Sequence, residues 1–330
     1  TPMVNEFGKL IGDFTIAKAA DERFMVWGSS AAQRYHMRWF WKHQPKDGSV
    51  RIHRFDQTLV GVSIAGPLSR KVLEKLCDDD VSNEAFRFMD FREMAVAGAP
   101  CMVNRISYTG DLGYEIWMAP AYQRKVYEGV KQAGAEFGIV DFGMRALLSM
   151  RLEKNFPTWF RELRPIYGPF EGSMDRFIKM KKNDFIGRDA AAKEQAEGPR
   201  LRRVSFVIEV PEGKDAADVM GDEPIWARTS TDFGTVQPSH GMGADRYDAQ
   251  GNRIAAKDGA VDGDWRVVGW VTSGGYAHFA GKSMAQGYLP ASLAEDTSDD
   301  VFEIEILGNR RKARIIPEPL FDPAGERMRA

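Results

Sequence analysis

The residues with chemical capacity in this chain are a few carboxylates, arginines and aromatics that stand beside turns. Asp13 closes a strand-like run through Leu10 and Ile11. A carboxylate there can take up a proton or stabilise growing positive charge, although an aspartate at such a place is more often a solvated turn residue or a helix cap. Glu115 follows Tyr114 on an expected strand. It is either the polar side of an alternating strand or an acceptor for two N–H groups lying side by side on a planar ring. Tyr108, at the start of the preceding turn, is a pocket wall or a core residue. Arg151 falls in an expected helix after Gly143, and its planar guanidinium suits either solvent or a polar edge or carboxylate. Trp159 packs on a ring system or fills a domain junction. Arg327 and Arg329 lie near the end of the chain.

Other chemistries find little to work with. The two cysteines, Cys77 and Cys101, sit in no C-x-x-C pair or Cys/His array, and their scarcity fits a reducing compartment better than a disulfide framework. The five histidines show no metal-ligand spacing, so no bound metal is expected. No G-x-G-x-x-G opens a helix after a strand, so a dinucleotide such as FAD would have to sit on another domain or chain.

The elements that must position these residues follow from composition and pattern. With 330 residues the chain is too long for one ordinary core. A formal net charge of -2, without a clustered basic face, argues against nucleic-acid binding. No apolar run approaches the ~20 residues of a membrane helix. Strands are expected at residues 10–16 and 23–27, and Ser29-Ser30 is expected to cap a helix bearing Tyr35, Trp39 and Phe40. Val60, Val62 and Ile64 alternate as a strand, and Leu68, Val72, Leu73 and Leu76 follow at helical spacing. Further strands are expected at 101–108 and 114–118, then a helix over 122–137 closed by Gly138. After Gly198-Pro199, Val204, Phe206, Ile208 and Val210 alternate as a half-buried strand. Loops rich in Gly and Asp are expected over 211–263, and strands at 266–272, 302–307 and 312–316. The last third therefore reads as an all-β barrel or sandwich. The acidic stretch 215–263 is a candidate lid, partner contact or insertion.

Four blocks, in order, carry a resemblance. Residues 1–14 read Thr-Pro-Met-Val-Asn-Glu-Phe-Gly-Lys-Leu-Ile-Gly-Asp-Phe, and a second block reads Ser107-Tyr108-Thr109-Gly110-Asp111-Leu112-Gly113-Tyr114-Glu115-Ile116. A third runs from Arg151-Leu152-Glu153-Lys154-Asn155-Phe156 through Trp159 and Glu162-Leu163 to Pro169-Phe170-Glu171-Gly172, then Asn183-Asp184-Phe185-Ile186-Gly187-Arg188. The fourth comprises Val271-Thr272-Ser273-Gly274-Gly275-Tyr276, Gly281-Lys282-Ser283 and Gly287-Tyr288-Leu289-Pro290. Together they resemble the glycine cleavage T-protein (aminomethyltransferase) superfamily. Arg151-Leu152-Glu153-Lys154-Asn155-Phe156 and the ending Glu318-Pro319-Leu320-Phe321-Asp322-Pro323 look most like the folate-binding C-terminal regions of dimethylglycine and sarcosine dehydrogenases.

The resemblance implies an α+β, multi-domain folate-binding fold with a C-terminal β barrel or sandwich. It implies that residues 1–55 are the remainder of an α+β domain carrying the catalytic Asp13, 56–197 a folate-binding α+β domain, and 198–330 the C-terminal β domain. The family has a long segment ahead of the first block, so the chain is expected to be part of a longer or processed polypeptide. The implied cofactor is tetrahydrofolate, with Tyr108, Glu115, Arg151, Trp159 and Arg327 in its site, and FAD on a separate domain or subunit. The implied partners are a methylated amine donor and a flavin dehydrogenase domain, in the cytoplasm or, in a eukaryote, the mitochondrial matrix. Three other activities are compatible with the family: aminomethyl transfer with a lipoylated carrier, O- or S-demethylation onto tetrahydrofolate, and folate-dependent regulation of iron–sulfur assembly. The last lacks its Lys-Gly-Cys-Tyr stretch around either cysteine.

Overall fold

The computed structural model describes residues 1–210, 218–228 and 264–330, and between them the strand backbone at 246–247, 253–254 and 261–262. In chain order the first elements are β1 (Pro2–Val4), β2 (Leu10–Asp13), β3 (Thr15–Ala20), β4 (Arg23–Trp27) and α1 (Gln33–His43). Next come β5 (Val60–Ala65), α2 (Ser69–Glu74), β6 (Phe91–Val96), β7 (Ala99–Asn104), β8 (Gly113–Met118), α3 (Gln123–Gly134), α4 (Met144–Glu153) and α5 (Arg188–Glu197). The remainder is β9 (Leu201–Ile208), β10 (Pro224–Arg228), the two-residue β11 (Arg246–Tyr247), β12 (Arg253–Ile254) and β13 (Val261–Asp262), then β14 (Trp265–Ala277), β15 (Lys282–Pro290), β16 (Phe302–Ile306), β17 (Asn309–Ile315) and α6 (Glu326–Arg329).

Two compact units divide the chain: Thr1–Phe14 with Asn155–Leu320, and Thr15–Lys154 with Phe321–Ala330. This division differs from the three consecutive segments expected from the sequence, because each unit takes up a distant stretch of chain. In the first unit, Leu10 N–H donates to the Tyr167 carbonyl at 2.9 Å, which ties the β1–β2 hairpin to residues far along the chain.

A closed antiparallel barrel of six strands forms the body of that unit. Its order is β10-β16-β17-β9-β15-β14, and a β10–β14 ladder completes the ring. Closure leaves no free edge among those strands. Phe206, Ile225, Val271, Leu289, Phe302 and Ile304 fill the interior. The α+β character and the barrel agree with the sequence reading, and three details correct it. Strand β9 ends at Ile208, and Val210 is exposed. The stretch read as loop contains β10, a barrel stave. Strand β15 was not anticipated, because its Gly287 and Pro290 weaken the pattern. Most of the 215–263 stretch lies outside the described residues.

The second unit is built on a four-stranded antiparallel sheet of order β5-β8-β7-β6. Period-2 alternation splits its residues cleanly. Ile64, Cys101, Val103, Tyr114, Ile116 and Met118 pack with Val72 and Leu73 of α2 and Val126 and Val130 of α3 into one core. The opposite face carries Ser63, Glu115, Trp117, Met102 and Asn104. Helix α3 ends at Gly134 and runs on as a 3₁₀ turn over Ala135–Phe137, which Gly138 closes with the left-handed φ of 69° expected of it. The strand expected over 101–108 starts earlier and stops at Asn104, and β6 was missed. Neither Ser29 nor Ser30 caps α1: the chain enters through a short 3₁₀ turn, and no side chain hydrogen bonds the helix start.

Candidate functional site

The sheet register assembles the polar face around Glu115. Strand β8 lies between β5 and β7, and its pairings set Glu115 opposite Ser63 on one side and Asn104 on the other. Cross-strand partners share a face, and so do residues two apart on one strand. Ser63, Glu115, Asn104 and Trp117 therefore project from the side of the sheet away from the helices. The Trp117 indole is fixed by its surroundings. It lies across from Gly61, where a Cβ would approach the ring to 2.8 Å, and 6.4 Å from the Trp27 ring, which itself sits 5.7 Å from Phe91.

Burial pushes the Glu115 carboxyl above the usual range, and the neighbouring Trp117 and Asn104 side chains draw it part of the way back. Neither neighbour reaches it with a hydrogen bond of normal geometry: Asn104 Nδ2 and Trp117 Nε1 are both buried without a partner. An unsatisfied buried donor costs about 1–3 kcal/mol. Two of them beside a half-buried carboxylate make a face that lacks acceptors and offers one of its own. A cavity of about 550 Å³ opens at the end of this sheet, with Leu59, Met102, Cys101 and Trp117 in its lining.

The turn leading into β8 is held by its own side chains. Ser107 Oγ lies 2.7 Å from Thr109 Oγ1, Thr109 N–H donates to Ser107 Oγ at 3.2 Å, and Leu112 N–H donates to Asp111 Oδ1 at 2.8 Å. Gly110 adopts φ +84°, and a Cβ there would press on the Lys154 side chain at 2.9 Å. Tyr108 is half-buried in this turn. Buried Lys154 pairs with Asp322 at 3.1 Å, and Phe321 N–H donates to the Glu153 carbonyl at 3.0 Å. Burial acts to raise the Asp322 carboxyl, but hydrogen bonds from Lys154 and from the Glu326 and Arg327 backbones bring it below its usual value.

The other sequence candidates fall into different surroundings. Arg327 stands 3.6 Å from Asp111 with its guanidinium 5.0 Å from the Phe321 ring, so it is engaged at the turn. Arg329 is exposed and donates to the Ala324 carbonyl. Arg151 is buried in the last turn of α4. These residues share the second unit with Tyr108 and Glu115, whereas Asp13 and Trp159 belong to the first. Trp159 is buried against Phe160, 5.3 Å between ring centres. Asp13 ends β2, opposite Pro2. Burial raises its carboxyl above the ordinary value, opposed in part by the Phe14 backbone N–H.

The motif blocks also hold a carboxylate of another kind. Glu162 is fully buried, and it accepts from Thr272 Oγ1 and from the Thr158 N–H at 2.8 Å each, and from Ser273 Oγ. Adjacent strand residues normally face opposite ways, yet Thr272 and Ser273 reach one carboxylate because a register shift between Val271 and Ser273 turns the strand there. Tyr288 OH donates to the Glu162 carbonyl at 2.7 Å and stacks on Tyr167 at 3.8 Å.

Asn104 and Trp117 were not singled out from the sequence. Trp117 was recoverable from period 2 alone, standing two residues after Glu115. Asn104 needed the β7–β8 register, which the overlong strand 101–108 obscured.

Comparison with known proteins is consistent with this architecture. Residues 1–182 match the family model described as the GCVT N-terminal domain, and residues 202–322 match the glycine cleavage T-protein C-terminal barrel domain. The mitochondrial dimethylglycine dehydrogenase of Mus musculus is 30% identical over 99% of this chain, which spans 33% of that protein. The mitochondrial sarcosine dehydrogenase of Homo sapiens is 30% identical over 84% of the chain, which covers 31% of it. An aminomethyltransferase of Thermoanaerobacter sp. (strain X514) is 31% identical over 62% of the chain and 55% of its own length. The crystal structure of glycine cleavage system aminomethyltransferase T from Bartonella henselae superposes with a TM-score of 0.73 at 18% identity, covering 98% of this chain and 75% of that one. The chain thus spans about a third of the length of the dehydrogenases it matches.

Proposed function

The chain belongs to the glycine cleavage T-protein family, and from that premise we propose that it binds tetrahydrofolate and serves one-carbon transfer. In this reading the carbon comes from an oxidised N-methyl amine of the dimethylglycine or sarcosine type and leaves as 5,10-methylenetetrahydrofolate. The observation that carries the reading is the Glu115 face, where a half-buried carboxylate stands beside two buried donors without partners. A pterin, with an amino group and a ring N–H side by side and acceptors next to them, fits that donor and acceptor set.

Tetrahydrofolate, when bound, supplies the amine nitrogens that take up the carbon. Glu115 accepts the paired N–H groups, and each charge-assisted bond is strengthened by the partial exclusion of water. Asp13 accepts a proton at a carboxylate oxygen. Its raised pKa makes it a better base than a solvated aspartate at the same fractional ionisation. Tyr108, Arg151 and Trp159 are assigned to binding on the family resemblance. Arg327, engaged with Asp111, would have to leave that partner to reach a glutamate tail. Oxidation of the amine is assigned to an FAD-bearing domain or subunit, in keeping with the likeness to dehydrogenases, and no residue of this chain is given to it. The reducing environment that the two free cysteines suit is the cytoplasm or, in a eukaryote, the mitochondrial matrix.

Calorimetric titration of the full-length protein with tetrahydrofolate tests the proposal, beside Glu115→Ala and Asp13→Ala. Saturable binding that Glu115→Ala strongly weakens supports it, together with an Asp13→Ala protein that binds but does not form 5,10-methylenetetrahydrofolate. Absence of binding to the wild-type protein would end the folate reading. Turnover with an aminomethylated lipoyl carrier, and none with methylated amines, would move the assignment to the aminomethyltransferases.

A further inference from the structure

The donors left over on the Glu115 face have a direction as well as a number. Asn104 is 2% exposed and lies directly across the ladder from Glu115. Its amide nitrogen and the Trp117 indole nitrogen are both buried and unpartnered, on the same face of the sheet. An ionised carboxylate only accepts, an indole N–H only donates, and this amide presents its NH₂. A planar ligand that gives Glu115 two adjacent N–H groups must present its next ring substituent toward a neighbouring strand. There an oxo group meets a donor correctly, while an amino group sets donor against donor.

We infer that Asn104 is a specificity-determining binding residue, one whose amide N–H donates to a ring oxo group beside the N–H pair held by Glu115 and so favours 2-amino-4-oxo heterocycles over 2,4-diamino ones. The inference rests on the folate reading and extends it to a residue whose position followed only from strand register. Trp117, anchored by Gly61 and Trp27, supplies a second donor on the same face. Sites that hydrogen bond one substituent reject the analogue lacking it through the polar groups left unpaired. Because a neutral 4-amino ring also lacks the N3–H that the 4-oxo ring offers Glu115, the contribution of Asn104 is read from how its variants change the preference rather than from the preference itself.

The test measures affinities of the full-length protein for tetrahydrofolate and for 4-amino-4-deoxytetrahydrofolate, in wild type, Asn104→Ala, Asn104→Asp and Glu115→Ala. Wild type should prefer the oxo compound. Asn104→Ala should weaken tetrahydrofolate on the order of tenfold with little change for the amino compound. Asn104→Asp, nearly identical in shape, keeps the test open should the smaller residue unfold the sheet. It should lower or invert the preference, since it replaces the donor with an acceptor. Parallel loss of both ligands in the two Asn104 variants, or no loss of either, would overturn the inference while leaving the folate reading intact. Tetrahydrofolate binding undiminished in Glu115→Ala would remove Glu115 from the site, and this inference with it, while absence of binding to the wild-type protein would end the folate reading itself.

Discussion

Glu115 and Glu162 are both carboxylates of motif blocks, each buried to some degree in its own unit, and they are treated in opposite ways. Glu162 has its oxygens occupied by Thr272, Ser273 and the Thr158 backbone, with a tyrosine on its carbonyl. Glu115 has neighbours that could donate but do not reach it in normal geometry. A satisfied buried network rigidifies a fold, whereas an unsatisfied one is a standing cost that a ligand can relieve. The contrast separates a carboxylate that holds a barrel strand from one available for binding, although their sequence settings look equally promising.

The largest effect should come from Glu162→Ala. It removes the buried carboxylate shared by Thr272, Ser273 and the Thr158 N–H and should lower unfolding stability by about 3 kcal/mol, visible in chemical denaturation. Folate affinity below the melting transition should be nearly unchanged. A variant of normal stability with lost affinity would break the distinction between the two glutamates.

Glu115→Ala should behave in the reverse way. Loss of a two-bond, charge-assisted contact should weaken tetrahydrofolate on the order of 100-fold by calorimetry, with thermal stability unchanged or higher. Next in size, Gly110→Ala puts a Cβ at positive φ and against Lys154. A loss of about 1–2 kcal/mol is expected. Folate affinity should fall less than in Glu115→Ala, because Gly110 shapes the turn while the charge-assisted contact of Glu115 is kept.

The smallest effect sharpens the comparison most. The Glu115 pKa is raised in the folded protein, so the folded state holds this proton more tightly than the unfolded chain does. Its contribution to stability is full below the unfolded value and is lost as pH rises through the folded one. At neutral pH the ionised carboxylate therefore destabilises the ligand-free protein. Glu115→Gln should remove that loss, giving a slightly higher melting temperature at pH 7 than wild type and a flatter pH dependence between about pH 4 and 7. A melting temperature lower than wild type at pH 7 would show that the ionised group is already well satisfied.

Much of the second unit was legible in the sequence. Val60, Val62 and Ile64 announced β5, and the spacing of Val126 and Val130 announced α3, because alternation of apolar residues at periods of 2 and 3.6 is a local property. The β6 and β15 strands were not legible. Their sequences, Phe-Arg-Glu-Met-Ala-Val and Lys-Ser-Met-Ala-Gln-Gly-Tyr-Leu-Pro, mix polar and small residues that only pairing makes strand-like, with β7 for the edge strand β6 and with β14 and β9 for β15. The same limit held for the two units, each closed by a segment from elsewhere in the chain that no local pattern assigns to it.

By itself the sequence determined the order of the four blocks, and with it the family, an all-β last third and the list of residues with chemical capacity; closure into a barrel came from the β10–β14 ladder. Tertiary structure alone decided which of those residues are spent on the fold and which remain open. Glu162 meets Thr272 across 110 positions of chain, and Asn104 meets Glu115 through the register of two strands joined by a turn. A one-residue slip in either ladder would turn these side chains to the opposite face. Hydrogen-bond satisfaction depends on that register, which is set by packing of the whole unit and is written in no single stretch of residues.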